Sequence, residues 1–475
     1  MLYINGEWKE AYSGNKLDVY NPATGELIDS VASGGKEEAK EAIQAAKEAF
    51  KTWKKATGQE KGKYLAKVAA IMKERVDQLA ETITLEMGKP LPDAKREVLG
   101  GISYVEWYAE EAKRVYGETI PASHPNKHLM VLRQPVGVTA AITPWNFPVS
   151  MITRKIAPAI AAGCTVVLKP APDTPISAIK VFECFHEAGL PKGVANLVVG
   201  NAEEIGSEMT ESSDVRKLTF TGSTPVGKLL LRNSANTVKK VSMELGGHAP
   251  LIVFEDADIG MAIKGVLGTK FKNSGQTCIS TNRVYVHESI AEEFGQKLAE
   301  ATSNLKIGNG IEAGIDVGPL INSQALEKVE SHVSDAVERN GKVLCGGNRY
   351  DTDGNGTFYE PTVINYATEQ MKISTEETFG PVAPIFTFKD EEEIIERANH
   401  VSYGLAAYCF TNDLGRGYRM MEELEYGIVG INDPAPIVAQ APFGGVKESG
   451  IGKEGGRSGL TEYLEEKFVS VGTAK

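Results

Sequence analysis

The sequence predicts an α/β fold with more than one domain. From about residue 138 onwards, short apolar segments rich in β-branched residues alternate with segments of helical spacing. This alternation is typical of a parallel sheet with crossover helices. A second run of the same pattern begins near Gly247. At 475 residues the chain is also too long for one small core, so we expect two or three domains.

The first alternating region contains strands and helices with clear stop signals. Pro144 and Pro170 end its first two strands, and Gly189 and Pro191 end its first helix. The predicted elements in chain order are strand, strand, helix, strand and helix, at residues 136–142, 164–168, 176–188, 217–220 and 226–232.

The second alternating region follows Gly247. Asp256 or Asp258 can cap its first helix, because a short carboxylate side chain accepts hydrogen bonds from free backbone N–H groups. Residues 351–357 have turn chemistry and predict an exposed loop. The predicted elements in chain order are strand, strand and helix, at residues 250–254, 283–287 and 290–304.

Two segments fit neither region, namely roughly residues 122–135 and the tail from about Glu462. Both are interpreted as strands that extend away from the body of the protein. Exposed strand edges pair readily with other strands, so we expect a small β arm that joins subunits. The expected assembly is a homodimer or a homotetramer.

The composition excludes several classes of partner. The formal charge is −12, and such a surface repels phosphate backbones and anionic membranes, so we expect neither a nucleic acid nor a membrane as partner. No basic segment followed by an apolar one opens the chain, so we expect no secretion signal. The five cysteines lack CxxC spacing. This argues against disulfides or a metal site and favours a reducing, cytoplasmic location.

Cys278 is the first candidate for chemistry, at the end of the segment Phe271-Lys-Asn-Ser-Gly-Gln-Thr-Cys278. A cysteine taken alone is usually a small buried apolar residue. This one follows a polar, glycine-containing loop, which can expose the sulfur and present backbone N–H groups beside it. The other cysteines lie in apolar patterns or beside a glycine pair and are interpreted as inert, namely Cys164, Cys184, Cys345 and Cys409.

Glu244, in the segment Met243-Glu-Leu-Gly-Gly247, is the second candidate. A glutamate at a strand end is usually a solvated surface charge. Apolar and glycine neighbours would instead desolvate this carboxylate, which raises its pKa and equips it as a general base near neutral pH.

Asn146 lies between aromatic residues and prolines in Thr143-Pro-Trp-Asn-Phe-Pro148. It is either a simple turn residue or a fixed side-chain amide of the kind that an oxyanion hole requires. The sequence around it leaves both interpretations open.

The turn from Phe220 to Gly227 is rich in glycine and small polar residues. Gly222 and Gly227 are too far apart for the GxGxxG fingerprint of dinucleotide-binding proteins. The turn leads into a helix, whose N-terminus can hold an anion. A plain connection between a strand and a helix is an equally good interpretation.

Together these segments resemble the aldehyde dehydrogenase superfamily, over essentially the whole chain. The spacing between Glu244 and Cys278 is also that of the superfamily. The signatures that carry the resemblance are Thr143-Pro-Trp-Asn-Phe-Pro148, Met243-Glu-Leu-Gly-Gly-His248, Gly275-Gln-Thr-Cys278, Glu376-Glu-Thr-Phe-Gly-Pro381 and Pro442-Phe-Gly-Gly-Val-Lys447.

The resemblance implies three parts of the fold. They are a Rossmann-like NAD(P)-binding domain, a second α/β domain that carries the catalytic cysteine, and a β oligomerisation arm. The expected bounds are 1–121 with 138–246 for the first, 247–440 for the second and 122–137 with 455–475 for the arm.

The resemblance also implies the oxidation of a small aldehyde to its acid with NAD or NADP. Cys278 would form a thiohemiacetal and then a thioester, with the oxyanion bound by the Asn146 amide and the Cys278 backbone N–H. Glu244 would activate the water that hydrolyses the thioester. Lys155 and Glu454 match positions of a proton relay or of support for this base, and the alternative is that they are solvated surface charges.

For the cofactor, Lys169 matches a residue that bonds the adenosine ribose, and Glu377 matches one that bonds the nicotinamide ribose. Gly222 and Ser223 match the pyrophosphate turn, and Phe379 is expected beside the nicotinamide. The remaining residues expected at the cofactor are Thr143, Pro144, Trp145, Gly227 and Leu245.

Pro172 lies three residues after Lys169, where strictly NAD-dependent relatives usually carry a glutamate. Without that carboxylate, repulsion of a 2′-phosphate falls by on the order of 1–2 kcal/mol at a partly exposed site. We therefore expect that NADP is accepted. The sequence leaves open whether NADP is preferred and whether NAD is also used.

The segment Met151-Ile-Thr-Arg-Lys155 resembles the succinate-semialdehyde dehydrogenase branch, in which Arg154 would bind the distant carboxylate of the substrate. That branch has a second arginine where this chain has Lys272, which keeps the charge but loses the bidentate fork. A serine of the branch is also missing from Asp433-Pro-Ala-Pro-Ile-Val438. We expect succinate semialdehyde or a similar short acidic aldehyde, with lactaldehyde, glycolaldehyde, glyceraldehyde-type and sulfonated aldehydes as alternatives.

Two other functions are rivals. A coenzyme-A-acylating dehydrogenase would pass the thioester to a thiol, but those relatives generally lack the base at Glu244. A structural member of the superfamily without activity is disfavoured by the intact set of Cys278, Glu244 and Asn146.

Overall fold

The computed structural model describes residues 1–350 and 356–473. Apart from its last two residues, the loop expected at 351–357 lies outside the described residues. The α-helices are α1 (Lys36–Trp53), α2 (Gly58–Glu74), α3 (Val76–Met87), α4 (Leu91–Glu111), α5 (Ser150–Ala162), α6 (Pro175–Glu187), α7 (Ala202–Glu211), α8 (Thr224–Ser234), α9 (Ile259–Val266), α10 (Ala291–Ser303), α11 (Ser323–Glu338), α12 (Glu391–Asn399), α13 (Leu414–Glu423) and α14 (Gly456–Thr461).

Within the described residues, the strands form two large sheets and two small ones. In chain order they are β1 (Leu2–Ile4), β2 (Glu7–Lys9), β3 (Lys16–Tyr20), β4 (Leu27–Ala32), β5 (Glu118–Ile120), β6 (Lys127–Pro135), β7 (Val138–Ile142), β8 (Thr165–Lys169), β9 (Ala195–Leu197), β10 (Val215–Thr221), β11 (Lys240–Glu244), β12 (Ala249–Val253), β13 (Thr281–His287), β14 (Lys342–Cys345), β15 (Thr362–Asn365), β16 (Val382–Phe388), β17 (Ala406–Phe410), β18 (Ile428–Ile431), β19 (Gly450–Ile451) and β20 (Leu464–Gly472).

The first large sheet has eight strands in the order β19-β11-β10-β7-β8-β9-β1-β2. The five strands from β11 to β9 in this order are parallel, and the strands at both edges are antiparallel. Strand β8 is buried at every position, because helices α1 and α5 pack against it. The predicted strands β7, β8 and β10 and the predicted helices α6 and α8 are confirmed within a few residues.

The second large sheet has seven strands in the order β14-β15-β16-β13-β12-β17-β18. All but the antiparallel edge strand β14 are parallel. The predicted strands β12 and β13 and the predicted helix α10 lie in this part. The prediction of an α/β fold with parallel sheets is therefore confirmed.

The helix after β12 is capped by one of the two predicted aspartates. Asp258 Oδ1 accepts a hydrogen bond of 2.9 Å from the backbone N–H of Met261, in the first turn of α9. Asp256 instead pairs with Arg416 at 2.9 Å and connects β12 to α13.

The arm is a three-stranded sheet in the order β20-β6-β5. Strands β6 and β20 pair along their full lengths, with Leu464 opposite Pro135 at one end and Gly472 opposite Lys127 at the other. The two segments interpreted as extended strands therefore pair with each other. Strand β5 precedes the expected arm segment, and helix α14 packs against α4 and α5 before β20 begins.

The candidate residues meet where the two large sheets face each other. Loops after β7, β10 and β11 lie across a cleft from the loops that precede β13 and β16 and from the start of α11. After β18, the chain leaves the second sheet and returns to the first as β19. In the described part of the chain, no helix is both long and apolar enough to cross a membrane.

Candidate active site

Two cavities meet at Cys278. The larger has a volume of about 540 Å³ and lies between the two large sheets. The second has a volume of about 450 Å³ and contains the predicted substrate residues Arg154 and Lys272. Cys278 and Met151 line both cavities. Molecules bound in the two cavities can therefore meet and react next to the Cys278 sulfur.

The loop before Cys278 has an unusual backbone. Asn273, Ser274 and Gly275 have φ angles of 52°, 55° and 73°, a region that costs a residue with a side chain about 1 kcal/mol or more. Position 275 requires glycine, because a Cβ there would lie 2.1 Å from the Gly380 carbonyl oxygen. The side-chain amide of Gln276 donates to the Asn273 carbonyl oxygen at 3.2 Å and closes the loop.

The Cys278 thiol is partly exposed to the cavities and forms no disulfide. Removal of water by the surrounding protein raises its pKa to about 12, against the opposing positive charge of Arg154. The nearby carboxylates of Glu377 and Glu244 raise the pKa further. The thiol is therefore protonated at neutral pH, and its attack on a substrate requires a base.

Asn146 lies beside the loop that carries the thiol. Its Nδ2 donates to the carbonyl oxygen of Gln276 at 3.0 Å. Its Oδ1 is buried and has no hydrogen-bond partner among residues 1–350 and 356–473. The backbone oxygen of Asn146 accepts from Lys89 Nζ at 2.9 Å and from Asn273 Nδ2 at 3.2 Å. Both ends of the residue are thus fixed next to the loop of Cys278.

Glu244 is buried at the carboxyl end of β11, and neither carboxylate oxygen has a hydrogen-bond partner in the described chain. Burial and the neighbouring Glu454 raise the pKa of Glu244 well above its usual range, against the charges of Arg154 and Lys155. Gly444 allows a close approach here, since a Cβ would lie 2.5 Å from Glu244 Oε1. An unpaired carboxylate with a raised pKa is suited to general-base chemistry near neutral pH.

A buried network of charges lies next to Glu244. Lys155 Nζ contacts Glu454 Oε1, and Arg154 Nη2 lies 3.1 Å from Glu454 Oε2. Burial would raise the pKa of Glu454, but the two positive charges outweigh burial and keep the pKa below its usual value. All three side chains are buried, so the interpretation of Lys155 and Glu454 as solvated surface charges is wrong.

The larger cavity contains most of the residues predicted for the cofactor. Thr143 is buried at the end of β7. Gly227, one turn into α8, packs against Leu245. Lys169 is buried with its Nζ 3.0 Å from the neighbouring Pro170 oxygen, and Pro172 is exposed. The predicted residues that line the cavity itself are Pro144, Trp145, Gly222, Ser223, Leu245, Glu377 and Phe379.

The larger cavity fits a dinucleotide. Ser223 is the N-cap of α8 and its hydroxyl makes no capping hydrogen bond, so the helix N-terminus is open to the pyrophosphate. The hydroxyl of Thr221 is buried without a partner in the part of the chain that the structure describes. Glu377 accepts from the Gly247 N–H at 3.0 Å and can also accept from ribose hydroxyls. Burial raises the pKa of Glu377 to about 7.

The second cavity is lined by several cationic side chains. The Arg154 guanidinium stacks 3.9 Å above the centre of the Phe443 ring. The Lys272 side chain is exposed overall, and partial burial of its charged end together with the nearby charge of Arg96 lowers its pKa. Arg96 pairs with Asp93 on the same helix. The predicted substrate residues Arg154 and Lys272 are thus brought together in one cavity.

Helix α4 supplies a wall of this cavity that the sequence analysis missed. Asp93, Arg96, Gly100, Ser103 and Tyr104 all line it. Their spacing of three, four, three and one residues places them on one face of a helix. A polar face at this spacing in a helix with an apolar opposite face is the signal that could have identified them.

The parallel sheets, the open N-terminus of α8 and the thiol between two cavities define an NAD(P)-dependent oxidoreductase with a candidate cysteine nucleophile. Residues 8–469 match the family model described as the Aldehyde dehydrogenase family. The chain belongs to this family and carries out the NAD(P)-dependent oxidation of a small aldehyde.

Relatives of known name match nearly the whole chain. The chain is 52% identical over 470 residues to 3-sulfolactaldehyde dehydrogenase of Pseudomonas putida, which covers 99% of this chain and 96% of the relative. It is 50% identical over 469 residues to succinate-semialdehyde dehydrogenase [NADP(+)] GabD of Escherichia coli (strain K12), with 99% and 97% covered. The crystal structure of an E. coli NADP-dependent enzyme matches with a TM-score of 0.98 at 49% identity and covers 100% of this chain and 98% of its own. The predicted resemblance is confirmed.

Proposed function

We propose that the protein oxidises a short aldehyde with an anionic group at its far end, and that succinate semialdehyde is the first candidate. The observation that carries this proposal is the positive charge of the second cavity. Lys272 faces Arg96 and has no ion-pair partner among the described residues, and Arg154 lies in the same cavity. A carboxylate or sulfonate would neutralise this charge and form strong, charge-assisted hydrogen bonds.

In the proposed reaction, the sulfur of Cys278 attacks the aldehyde carbon as its proton passes to Glu244, which releases the proton to solvent before the thioester is hydrolysed. The Asn146 amide and the Cys278 backbone N–H donate to the oxyanion of the thiohemiacetal. Bound NAD(P) supplies the acceptor for the hydride that leaves this carbon, and a thioester on Cys278 remains. Glu244 then takes a proton from water, whose oxygen attacks the thioester carbon and releases the acid and the thiol.

Lys155, Arg154 and Glu454 support this chemistry by controlling the charge beside Glu244. The two cations keep Glu454 ionised, and its negative charge helps to keep the pKa of Glu244 raised. Neither Glu244 oxygen is hydrogen-bonded to this network in the described chain, so the network acts on the base through its charge.

Lys272→Met tests the anionic substrate. We expect kcat/KM for succinate semialdehyde to fall about 10- to 100-fold, because a charge-assisted contact contributes about 1.5–3 kcal/mol. With butanal, which has no distal charge, the same variant is expected to change kcat/KM by less than about threefold. The measurement is the initial rate of NAD(P)H formation with both aldehydes. Lys272 is preferred to Arg154 for this test, because loss of Arg154 would also remove a partner of Glu454.

Lys264→Met is the matched control, because Lys264 is an exposed lysine on α9 that does not line the cavity. It is expected to leave both values unchanged. Equal losses with the acidic and the neutral aldehyde in the Lys272 variant would contradict the proposal of an anionic substrate.

A sulfonated aldehyde is the second candidate, because one relative is a 3-sulfolactaldehyde dehydrogenase. A sulfonate carries the same single charge as a carboxylate, and Ser103 and Tyr104 line the same cavity. The values of kcat/KM for the two acidic aldehydes decide between them. Lactaldehyde and glycolaldehyde would leave the charge of Lys272 unbalanced.

For the cofactor, we propose that NADP is accepted alongside NAD. Pro172 carries no carboxylate to repel a 2′-phosphate, and the E. coli relative is named for NADP(+). The next residue, Asp173, supplies a carboxylate that the sequence analysis did not consider. Burial raises its pKa, while Asn322 and Lys169 favour its charged form. Asp173 therefore competes with a 2′-phosphate for the charge of Lys169.

Asp173→Asn is expected to raise the ratio of kcat/KM for NADP to that for NAD by about three- to tenfold, since it removes about 1 kcal/mol of repulsion. Pro172→Glu is expected to lower the same ratio by about tenfold, because it restores a carboxylate at a partly exposed site. Initial rates with each cofactor at a saturating aldehyde concentration give both ratios. A preference of the unaltered protein for NAD of about 100-fold or more would contradict NADP acceptance.

The arm is proposed to join subunits into a homodimer or a homotetramer. Ile120, Leu132, Phe468 and Val471 are large apolar side chains that it leaves exposed. Such a surface on a three-stranded sheet with open edges is suited to a contact with another subunit. A location in a reducing, cytoplasmic compartment also stays a prediction. The five free cysteines agree with it.

A further inference from the structure

A buried ion pair borders the second cavity next to Asn146 and has no part in the reaction described above. Lys89 Nζ contacts the Glu97 carboxylate, and each side chain is only 1% exposed. A buried ion pair is by itself a weak source of stability, because removing both charges from water costs about as much as their attraction provides. The contacts of this pair with the surrounding backbone indicate a different role.

Both members of the pair bind the backbone of the segment that carries Asn146. Lys89 Nζ donates to the Asn146 carbonyl oxygen at 2.9 Å and lies 3.9 Å from the centre of the Phe147 ring. Glu97 Oε1 accepts from the backbone N–H groups of Val149 at 2.9 Å and Ser150 at 3.2 Å. Residues 146–150 are therefore bound at both ends by one ion pair.

This segment needs such contacts, because it lies between the end of β7 and the start of α5. The N–H groups at the start of a helix have no partner within the helix. Glu97 supplies that partner, and its charge is favourable at a helix N-terminus. Pro148 has no N–H of its own, so the segment has few backbone hydrogen bonds with which to fix the direction of the Asn146 side chain.

The Asn146 carbonyl also connects the pair to the thiol. Asn273 Nδ2, in the loop before Cys278, donates to the same oxygen that Lys89 binds. A displacement of this carbonyl would therefore move the Asn146 amide relative to the sulfur. A misplacement of about 1 Å is enough to cost a reaction about 100-fold in rate.

We propose that Lys89 and Glu97 are positioning residues that aim the Asn146 amide at the oxyanion formed on the Cys278 adduct. The inference rests on the proposed function of Asn146 as an oxyanion donor. The pair acts on the backbone carbonyl of Asn146 and the N–H groups at the start of α5. It takes no proton and touches no reacting atom.

A double-mutant cycle with Lys89→Met, Asn146→Ala and the two together tests this inference. Loss of one oxyanion donor lowers the rate about 100- to 1000-fold, and Lys89→Met is expected to lower kcat/KM about 10- to 100-fold in the unaltered protein. In the Asn146→Ala background, the same change is expected to cost less than about threefold, because its effect passes through the amide that is already absent.

Alkylation of Cys278 by iodoacetamide provides a second readout. Displacement of iodide creates no oxyanion, so Lys89→Met is expected to change the alkylation rate by less than about threefold. A general loosening of the site would alter this rate as well. Lys239→Met is the matched control, because Lys239 is also buried and donates to backbone carbonyl oxygens, at Met209 and Ser212. It is expected to leave kcat/KM unchanged.

If Lys89→Met does not fold, the variant with both Lys89→Met and Glu97→Gln replaces it in the cycle, since it leaves no single buried charge. An equal loss of kcat/KM with and without the Asn146 amide would overturn the inference alone. An Asn146→Ala protein with unchanged kcat/KM would overturn the proposed oxyanion donor and the inference with it.

Discussion

Replacement of Cys278 by serine is expected to lower kcat/KM for every aldehyde by at least about 10³-fold, because the proposed reaction begins with its sulfur. Serine has nearly the same shape, so the loop before it and both cavities are expected to stay intact. A hydroxyl is a far weaker nucleophile than a thiolate and gains little from the same base. NAD(P)H formation over a range of aldehyde concentrations, followed by absorbance, is the measurement.

Cys345→Ser is the matched control, because Cys345 is also partly exposed but lies on the edge strand β14. It is expected to retain full activity. The Cys278 variant should bind the cofactor with unchanged affinity, which separates loss of the nucleophile from loss of the site. A Cys278→Ser protein that oxidises aldehyde at the normal rate would remove the first step of the proposed reaction.

Glu244→Gln is expected to lower the steady-state rate by about 100- to 1000-fold, because the amide takes no proton from water. Glutamine matches the shape of glutamate beside Gly444, so the packing is preserved. The first turnover is expected to continue through hydride transfer, with another acceptor or solvent taking the thiol proton. The thioester on Cys278 then accumulates and is measured as an added acyl mass on the intact protein, together with a burst of NAD(P)H.

The pH dependence gives a second signature of Glu244. A base acts only when deprotonated, and its folded pKa is raised above the usual range. Activity of the unaltered protein should therefore rise with pH across a range above that of an ordinary glutamate, and this acidic limb should disappear in Glu244→Gln. Glu448→Gln is the control, because this exposed glutamate pairs with Lys228 away from the thiol. Full activity without thioester accumulation in the Glu244 variant would show that another group activates the water.

Analysis of the product with and without coenzyme A tests the rival function in which coenzyme A takes the acyl group. Release of a free acid by the unaltered protein without coenzyme A agrees with Glu244 as a water-activating base. Acyl-coenzyme A as the only product would contradict it.

The sequence predicted those parts of the fold and site that depend on local patterns. Buried strands such as β8 and β12 are continuous apolar segments, and prolines and glycines mark where they end. The loop of Cys278 was identified because its glycine and small polar residues differ from the apolar surroundings of the other cysteines. These features are contained in a few consecutive residues.

The parts that could not be predicted depend on contacts between distant segments. Nothing near Lys155 indicates that Glu454, from the other end of the chain, becomes its buried partner. Arg96 lies in a helix that reads as an ordinary surface helix, and only the folded structure brings it into one cavity with Lys272. Asp173 was overlooked for a similar reason, since its importance depends on where the Lys169 side chain lies.

The return of the chain from β18 to β19 has a consequence for the timing of activity during protein synthesis. Gly444 packs against Glu244, and the Glu454 backbone pairs with that of Phe443 at 2.6 and 2.7 Å. A ribosome makes β10, β11 and the loop of Cys278 well before these residues. A nascent chain that ends before Gly444 can form the first sheet except β19, and it contains Cys278, but it lacks the wall and the carboxylate that complete the surroundings of Glu244. The site is therefore complete only after synthesis has passed Glu454.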